Sequence, residues 1–306
     1  MIVIDDSDIT FVVQGPVQQT PGREQIEGIT QRCLASIRQF FPSSTIILST
    51  WENQPIEGLD YDVLVESVDP GSNKVFNDGT PLVLNNNRQL KSSNAGLAAV
   101  SSRYAVKLRS DNLLSGRAFV DTYCKYYDLP RAAKFQYFKQ RIITSSAFFI
   151  GSHYGKTVHF HKSDLFDFGL TEDLLKVWPN KPIPEIHFEL NSGKKQRYPA
   201  TEQFLTLSWL SDLLGEPLHI NSKADDSANL PSTFWGDFIA NNIIVDTPEA
   251  LQLDVTERFY QRGNLSLEYD LEDWLALNHG SKPKLDKKRA ERAFKQFCGR
   301  IARRLP

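Results

Sequence analysis

The run Ile9-Thr10-Phe11-Val12-Val13, closed by Gln14-Gly15-Pro16, is β-branched and aromatic until it meets turn-forming residues, which predicts a buried strand ending in a turn. After a polar stretch, Ile26, Ile29, Cys33, Leu34, Ile37 and Phe40 recur at helical spacing and Pro42 follows, so a helix is expected over 26–41. Ser44-Thr45-Ile46-Ile47-Leu48-Ser49-Thr50 then predicts a second strand. Strand, helix and strand in that order form a βαβ unit, whose ligands sit at the carboxyl ends of the strands. Further along, strands are expected over 61–68 and 104–109, and a helix over 85–101. The polar cluster Ser110-Asp111-Asn112 falls where an open α/β sheet presents its site. Short strands over 148–150 and 158–160 and a helix over 202–214 complete the body. The segment 181–197, with Pro182, Pro184 and Gly193, reads as a surface excursion around a short strand at 185–190 and as a candidate acceptor loop.

With 306 residues, 41% hydrophobic and 24% charged, the composition is that of a folded globular chain. One large α/β unit over 1–280 with an appendage over 281–306 is expected. Cys33, Cys124 and Cys298 are too scattered for a disulfide framework or a zinc cluster, which points to a reducing cytoplasm. Residues 1–8 lack the apolar core of a secretory signal, and no run approaches eighteen apolar residues, so no transmembrane helix is expected. The net charge of −2 hides an asymmetry: 281–306 carries ten basic residues against Asp286 and Glu291, or +8, leaving −10 on 1–280. Phe294, Phe297, Ile301 and Leu305 follow one another at offsets of three and four, predicting an amphipathic helix over 285–305 with a cationic face. Such a helix suits an anionic membrane surface, reached through 284–305, or docking on the acidic body. Nucleic acid is disfavoured, because the body is acidic and no base-reading motif is present.

Six motifs occur in order: Phe11-Val12-Val13-Gln14-Gly15-Pro16, Ile47-Leu48-Ser49-Thr50-Trp51-Glu52, Asn87-Arg88-Gln89, Lys107-Leu108-Arg109-Ser110-Asp111, Phe160-His161-Lys162-Ser163-Asp164 and Thr201-Glu202-Gln203-Phe204-Leu205. Together, over roughly 9–275, they resemble the WavE-type lipopolysaccharide synthesis family. The resemblance implies a GT-A-like glycosyltransferase fold, a mixed sheet flanked by helices. It also implies transfer of a sugar from a nucleotide-sugar donor to a lipid-linked oligosaccharide of lipopolysaccharide core, O-antigen or capsule, on the cytoplasmic face of the inner membrane. Where GT-A enzymes carry Asp-X-Asp, this chain reads Arg109-Ser110-Asp111 and offers one carboxylate.

A departing diphosphate needs a divalent cation or fixed cationic side chains. Asp111 is the candidate ligand for Mg²⁺ or Mn²⁺, with a turn or helix cap as its plain structural alternative. Gln14, Gly15, Thr50, Trp51, Arg88, Lys107, Arg109 and Asp111 are the candidate donor contacts; Trp51 reads equally as a core aromatic, and Arg88 as a solvated helix arginine. An inverting transferase also needs a general base. Glu202, at a helix start, and Asp164 compete for that role. His161 and Asp173 are candidate acceptor contacts, Asp173 alternatively capping a helix. His159 and His161 share a face if their segment is a strand, although a zinc site needs more ligands than this pair. Nucleophile-elbow, Walker and dinucleotide-binding signatures are absent. Two further functions stand beside the main one: a non-catalytic carbohydrate- or nucleotide-binding protein of the same fold, and a transferase using a phosphoribosyl or CMP-sugar donor.

Overall fold

The computed structural model describes residues 2–17, 26–77, 79–188 and 198–302. Its centre is a seven-stranded sheet whose strands, in chain order, are β1 (Ile9–Gln14), β2 (Thr45–Trp51), β3 (Val63–Ser67), β4 (Tyr104–Arg109), β5 (Ile142–Ser145), β6 (Phe166–Leu170) and β7 (Ile243–Asp246). Their spatial order is β7-β5-β6-β4-β1-β2-β3. The half β4-β1-β2-β3 is parallel, β6 runs antiparallel to both β4 and β5, and β7 is parallel to β5. The mixed sheet is flanked by α1 (Ile29–Phe40), α2 (Asn86–Ala98), α3 (Ala118–Tyr126), α4 (Thr171–Val177), α5 (Thr201–Leu214), α6 (Phe234–Asn242), α7 (Pro248–Leu251), α8 (Glu257–Arg262), α9 (Leu271–His279) and α10 (Lys287–Ala302). Every residue of β1 is buried, as a central strand covered on both faces requires.

Two expected strands fail. Residues 148–150 and 158–160 are loop, and the sheet instead takes β5 and β6 on either side of them. Phe149 and Phe160 are buried because their rings pack on Trp235 at 6.4 and 5.5 Å, so their apolar signal comes from side-chain packing without a ladder. In β6, Asp167 and Gly169 interrupt the apolar pattern and conceal a strand that is wholly buried. His159 and His161 therefore share no strand face. The expected strand at 185–190 is seen as Ile186–Phe188 beside a hairpin of Asn73–Asn77 and Thr80–Leu84; residues 189–197 of the expected acceptor loop lie outside the described residues.

Candidate functional site

Parallel strands deliver their carboxyl ends to one edge of a sheet, and here the ends of β1, β2 and β4 meet the entry to β6 and the starts of α2 and α5. Between them lies a cleft of about 580 Å³, within the ~300–1,000 Å³ of small-molecule sites. Gly15 closes β1 at φ +121°, and a Cβ there would stand 3.1 Å from Ser110 Oγ. The Ser110 amide donates to Gln14 O at 2.9 Å and its hydroxyl to Pro16 O at 2.8 Å. The ends of β1 and β4 are thus laced together, and Arg109 and Asp111 project from the seam into the cleft.

Four arginines and four carboxylates line this space: Arg88, Arg109, Arg258 and Arg262, with Asp69, Asp111, Asp164 and Glu202. Arg88 forks onto Asp69 at 2.8 and 2.7 Å and also reaches Asn85 Oδ1. Arg109 forks onto Asp111 at 2.9 and 3.0 Å, with Asp164 Oδ2 3.8 Å from its third nitrogen. Arg258 comes within 3.8 Å of Asp111, and both Arg109 and Arg258 lie over the Phe259 ring at 5.1 and 5.4 Å. Arg262 makes no ion pair among the described residues. The Arg109 guanidinium is raised in pKa by the two carboxylates beside it, against the opposing effect of burial.

Glu202 opens α5, where the Gln203 side chain accepts from the Ala200 amide at 2.9 Å. Burial and the nearby Asp164 carboxylate push the Glu202 pKa up to about 7. His161 Nε2 is 3.7 Å from Glu202, but burial and the Lys223 charge hold its pKa down to about 3. The imidazole is neutral at ordinary pH and does not stabilise the ionised carboxyl as a cation would.

The cleft gathers Gln14, Gly15, Trp51, Arg88, Arg109, Asp111, Asp164 and Glu202 from the residues predicted by sequence. Four others are placed elsewhere. Thr50 is fully buried, since alternation along β2 turns it away from the face that presents Trp51. Lys107 is fully buried one pleat below Arg109, its ammonium donating to the Asp164 carbonyl and lying 4.2 Å from the Trp178 ring. Asp173 is buried outside the cleft as a tether: its carboxylate accepts from the Lys139 and Gln140 amides, both at 3.0 Å, and pairs with Lys176. His161 stands behind Glu202 without lining the cleft. Sequence reasoning missed Arg258, Phe259 and Arg262 on α8, together with Phe148 and Asp69; an arginine pair at i, i+4 around a phenylalanine was the available signal. Thr256, just before α8, and Phe148 adopt φ of +66° and +63°, a conformation costing ~1–3 kcal/mol that gathers at functional sites.

The donor set fits a divalent cation poorly. Both Asp111 oxygens already accept from Arg109, and an entering cation would face that guanidinium and Arg258. Among the described residues no group of three or more His, Cys, Asp or Glu could hold a metal ion, and this includes the histidine pair.

A family model for WavE lipopolysaccharide synthesis matches residues 9–306. The chain belongs to this family. Its role is therefore in lipopolysaccharide synthesis. No curated protein matches the chain. Among solved structures, a Bacillus anthracis chain assigned as a glucose-1-phosphate thymidylyltransferase, in complex with a sucrose, aligns at 10% identity over 70% of this WavE chain and 97% of its own length, with a TM-score of 0.29. Similarity of that size carries no argument about the site.

Proposed function

We propose that this WavE protein is a GT-A-like glycosyltransferase that moves a sugar from a nucleotide-sugar donor to a hydroxyl of a lipopolysaccharide precursor, without a metal ion. The observation that carries the reading is the pairing, in one cleft at the strand ends, of an arginine cluster with a buried carboxyl whose pKa lies near neutrality. Leaving-group stabilisation and proton abstraction are the two services such a transfer needs.

In this mechanism the Glu202 carboxylate takes the proton of the acceptor hydroxyl. The hydroxyl oxygen bonds to the anomeric carbon as the bond from that carbon to the diphosphate oxygen breaks, and the electron pair departs with the diphosphate. Arg88, Arg109, Arg258 and Arg262 receive the developing charge, and their placement before the reaction saves the reorganisation that water would require. Asp111 holds the Arg109 guanidinium in fixed orientation through its two hydrogen bonds. Trp51, at the end of β2, offers a ring to the nucleotide.

Thermal-shift and calorimetric titration with UDP, GDP, CMP and dTDP, with and without Mn²⁺ or Mg²⁺, tests the reading. One nucleotide should stabilise the protein, equally well in a chelator, and Arg258→Ala with Arg262→Ala should weaken it by ~10-fold or more, as loss of charge-assisted bonds does. Strict metal dependence would sink the metal-free part. Absence of binding to every nucleotide would sink the donor reading, and binding without transfer or donor hydrolysis would favour a non-catalytic binding protein.

A further inference from the structure

Helix α10 docks with the side opposite to the one expected of an amphipathic helix on a globular body. Its polar side faces inward: Arg289 pairs with Asp270 and Asp273, Arg292 forks onto Asp273 at 2.9 and 2.8 Å, and Lys288 reaches Asp270 at 3.1 Å. Gly299 permits the close approach, since a Cβ there would collide with the Tyr154 main chain. Three cations of the expected cationic face are thereby neutralised by Asp270 and Asp273 of the body. The apolar side faces outward, with Phe294 66%, Phe297 55% and Ile301 44% exposed. These three stand at i, i+3 and i+7, one stripe of the helix. Leu285, 76% exposed, precedes them. Lys282, Lys284, Lys287 and Arg300 flank the stripe, exposed and without an ion pair among the described residues.

We infer that the outer face of α10 is a docking surface for an anionic phospholipid bilayer, the apolar stripe entering the interface and the four flanking cations meeting headgroup phosphates. Large apolar side chains bordered by cations are the composition that lies in a membrane interface. A second copy of the chain fits less well. Four partly exposed side chains, at ~200 Å² each when whole, fall short of the ~800 Å² that each partner brings to a stable interface, and the flanking cations would meet their own kind.

Two hydrogen bonds connect the docked helix to the cleft. Arg292 donates to the Glu268 carbonyl at 2.7 Å, and the Glu268 side chain accepts from the amide of Phe148, which lines the cleft, at 3.0 Å. A bilayer held on α10 therefore fixes how the cleft is presented to it. The inference rests on the tail alone and stands whether or not the cleft transfers a sugar.

The test is flotation of the full chain with vesicles of phosphatidylglycerol and phosphatidylethanolamine, compared with pure phosphatidylcholine and with no nucleotide present. Wild type should float with the anionic vesicles. Replacing the exposed trio, Phe294→Ser with Phe297→Ser and Ile301→Ser, should lower partitioning on the order of 100-fold while leaving thermal unfolding unchanged. An environment-sensitive fluorophore on Cys298, exposed on the same face, should shift to the blue with anionic vesicles. Wild type that stays in solution, a trio variant that still floats, or equal flotation with neutral vesicles overturns the inference. So does a concentration-dependent dimer that the trio variant abolishes.

Discussion

Two polar clusters lie on either side of Asp164 and differ in how their charges are met. Toward the interior, Lys162 donates to Asp167 at 2.6 Å and to the Ser163 carbonyl at 2.8 Å, and the Trp178 indole donates to the second Asp167 oxygen at 2.9 Å. Asp167 faces Lys107 across the β6–β4 register. Toward the cleft, Glu202 has a neutral histidine at 3.7 Å and the like-charged Asp164 and Glu268 about it, and the Lys223 charge and its own helix-start amide only partly offset its burial. The first cluster satisfies a buried charge with an opposite charge and hydrogen bonds; the second leaves one deliberately poor in partners. Burial alone does not mark function, because both are buried, and Lys107 in the interior also keeps an incompletely offset desolvation; what sets Glu202 apart is such a charge at a position that lines the cleft.

The contrast predicts opposite consequences for removing one carboxylate from each cluster. Glu202→Gln should lower transfer turnover by ~10²–10⁴-fold, the range for loss of a general base, with the folded state intact. A variant retaining near-wild-type turnover would move the base to Asp164. Asp167→Ala removes the counter-ion of a fully buried ammonium, and denaturant unfolding should show a loss of ~3–5 kcal/mol. Less than ~1 kcal/mol would mean that the interior cluster is no more satisfied than the cleft.

Stability against pH sharpens the same difference. Burial and the Asp164 charge raise the Glu202 pKa to about 7 from the ordinary carboxyl value of 4.5, so its contribution is fully present below about 4.5 and is lost as pH rises through 7. The Lys107 pKa is lowered to about 7 by burial, so its contribution is present above the ordinary lysine value of 10.5 and is lost as pH falls toward 7. The Glu202 penalty is complete above 7 and the Lys107 penalty below it, so their sum weakens the fold most near neutrality. Wild type measured against Glu202→Gln should lose on the order of 3 kcal/mol between pH 4.5 and 7, and against Lys107→Met it should regain on the order of 4 kcal/mol between pH 7 and 10.5. Difference curves of the opposite slope would refute these environments.

Much of the cleft was legible because strand-end logic is local: Gln14, Gly15, Trp51, Arg109 and Asp111 close predicted strands, and parallel pairing carries them to one edge. The misplacements follow from pleat geometry and depth. Thr50 lies on the face opposite Trp51, while Lys107 shares a face with Arg109 but sits one pleat deeper. Arg258 and Arg262 carried only the weak signal of an i, i+4 pair around Phe259, because it is the return of the chain after β7 that brings α8 to the cleft. The orientation of α10 was hidden for a related reason: periodicity revealed an apolar stripe and a cationic side, but which one faces the body depends on Asp270 and Asp273, carboxylates some twenty residues earlier.

The smallest effect comes from the rim, where the pairing is neither interior nor starved. Arg88 and Asp69 are 37% and 40% exposed, so water competes with their mutual attraction and Asp69→Asn should change stability by less than ~1 kcal/mol, an effect that salt screens. The same substitution releases a guanidinium of the leaving-group cluster from its own carboxylate and removes one negative charge from the cleft. Nucleotide affinity should therefore rise by a few-fold at low ionic strength, with the gain shrinking as salt is added. An affinity that falls instead would mean that Asp69 aims Arg88 at the diphosphate, and that even an exposed ion pair at this cleft works by orientation more than by charge.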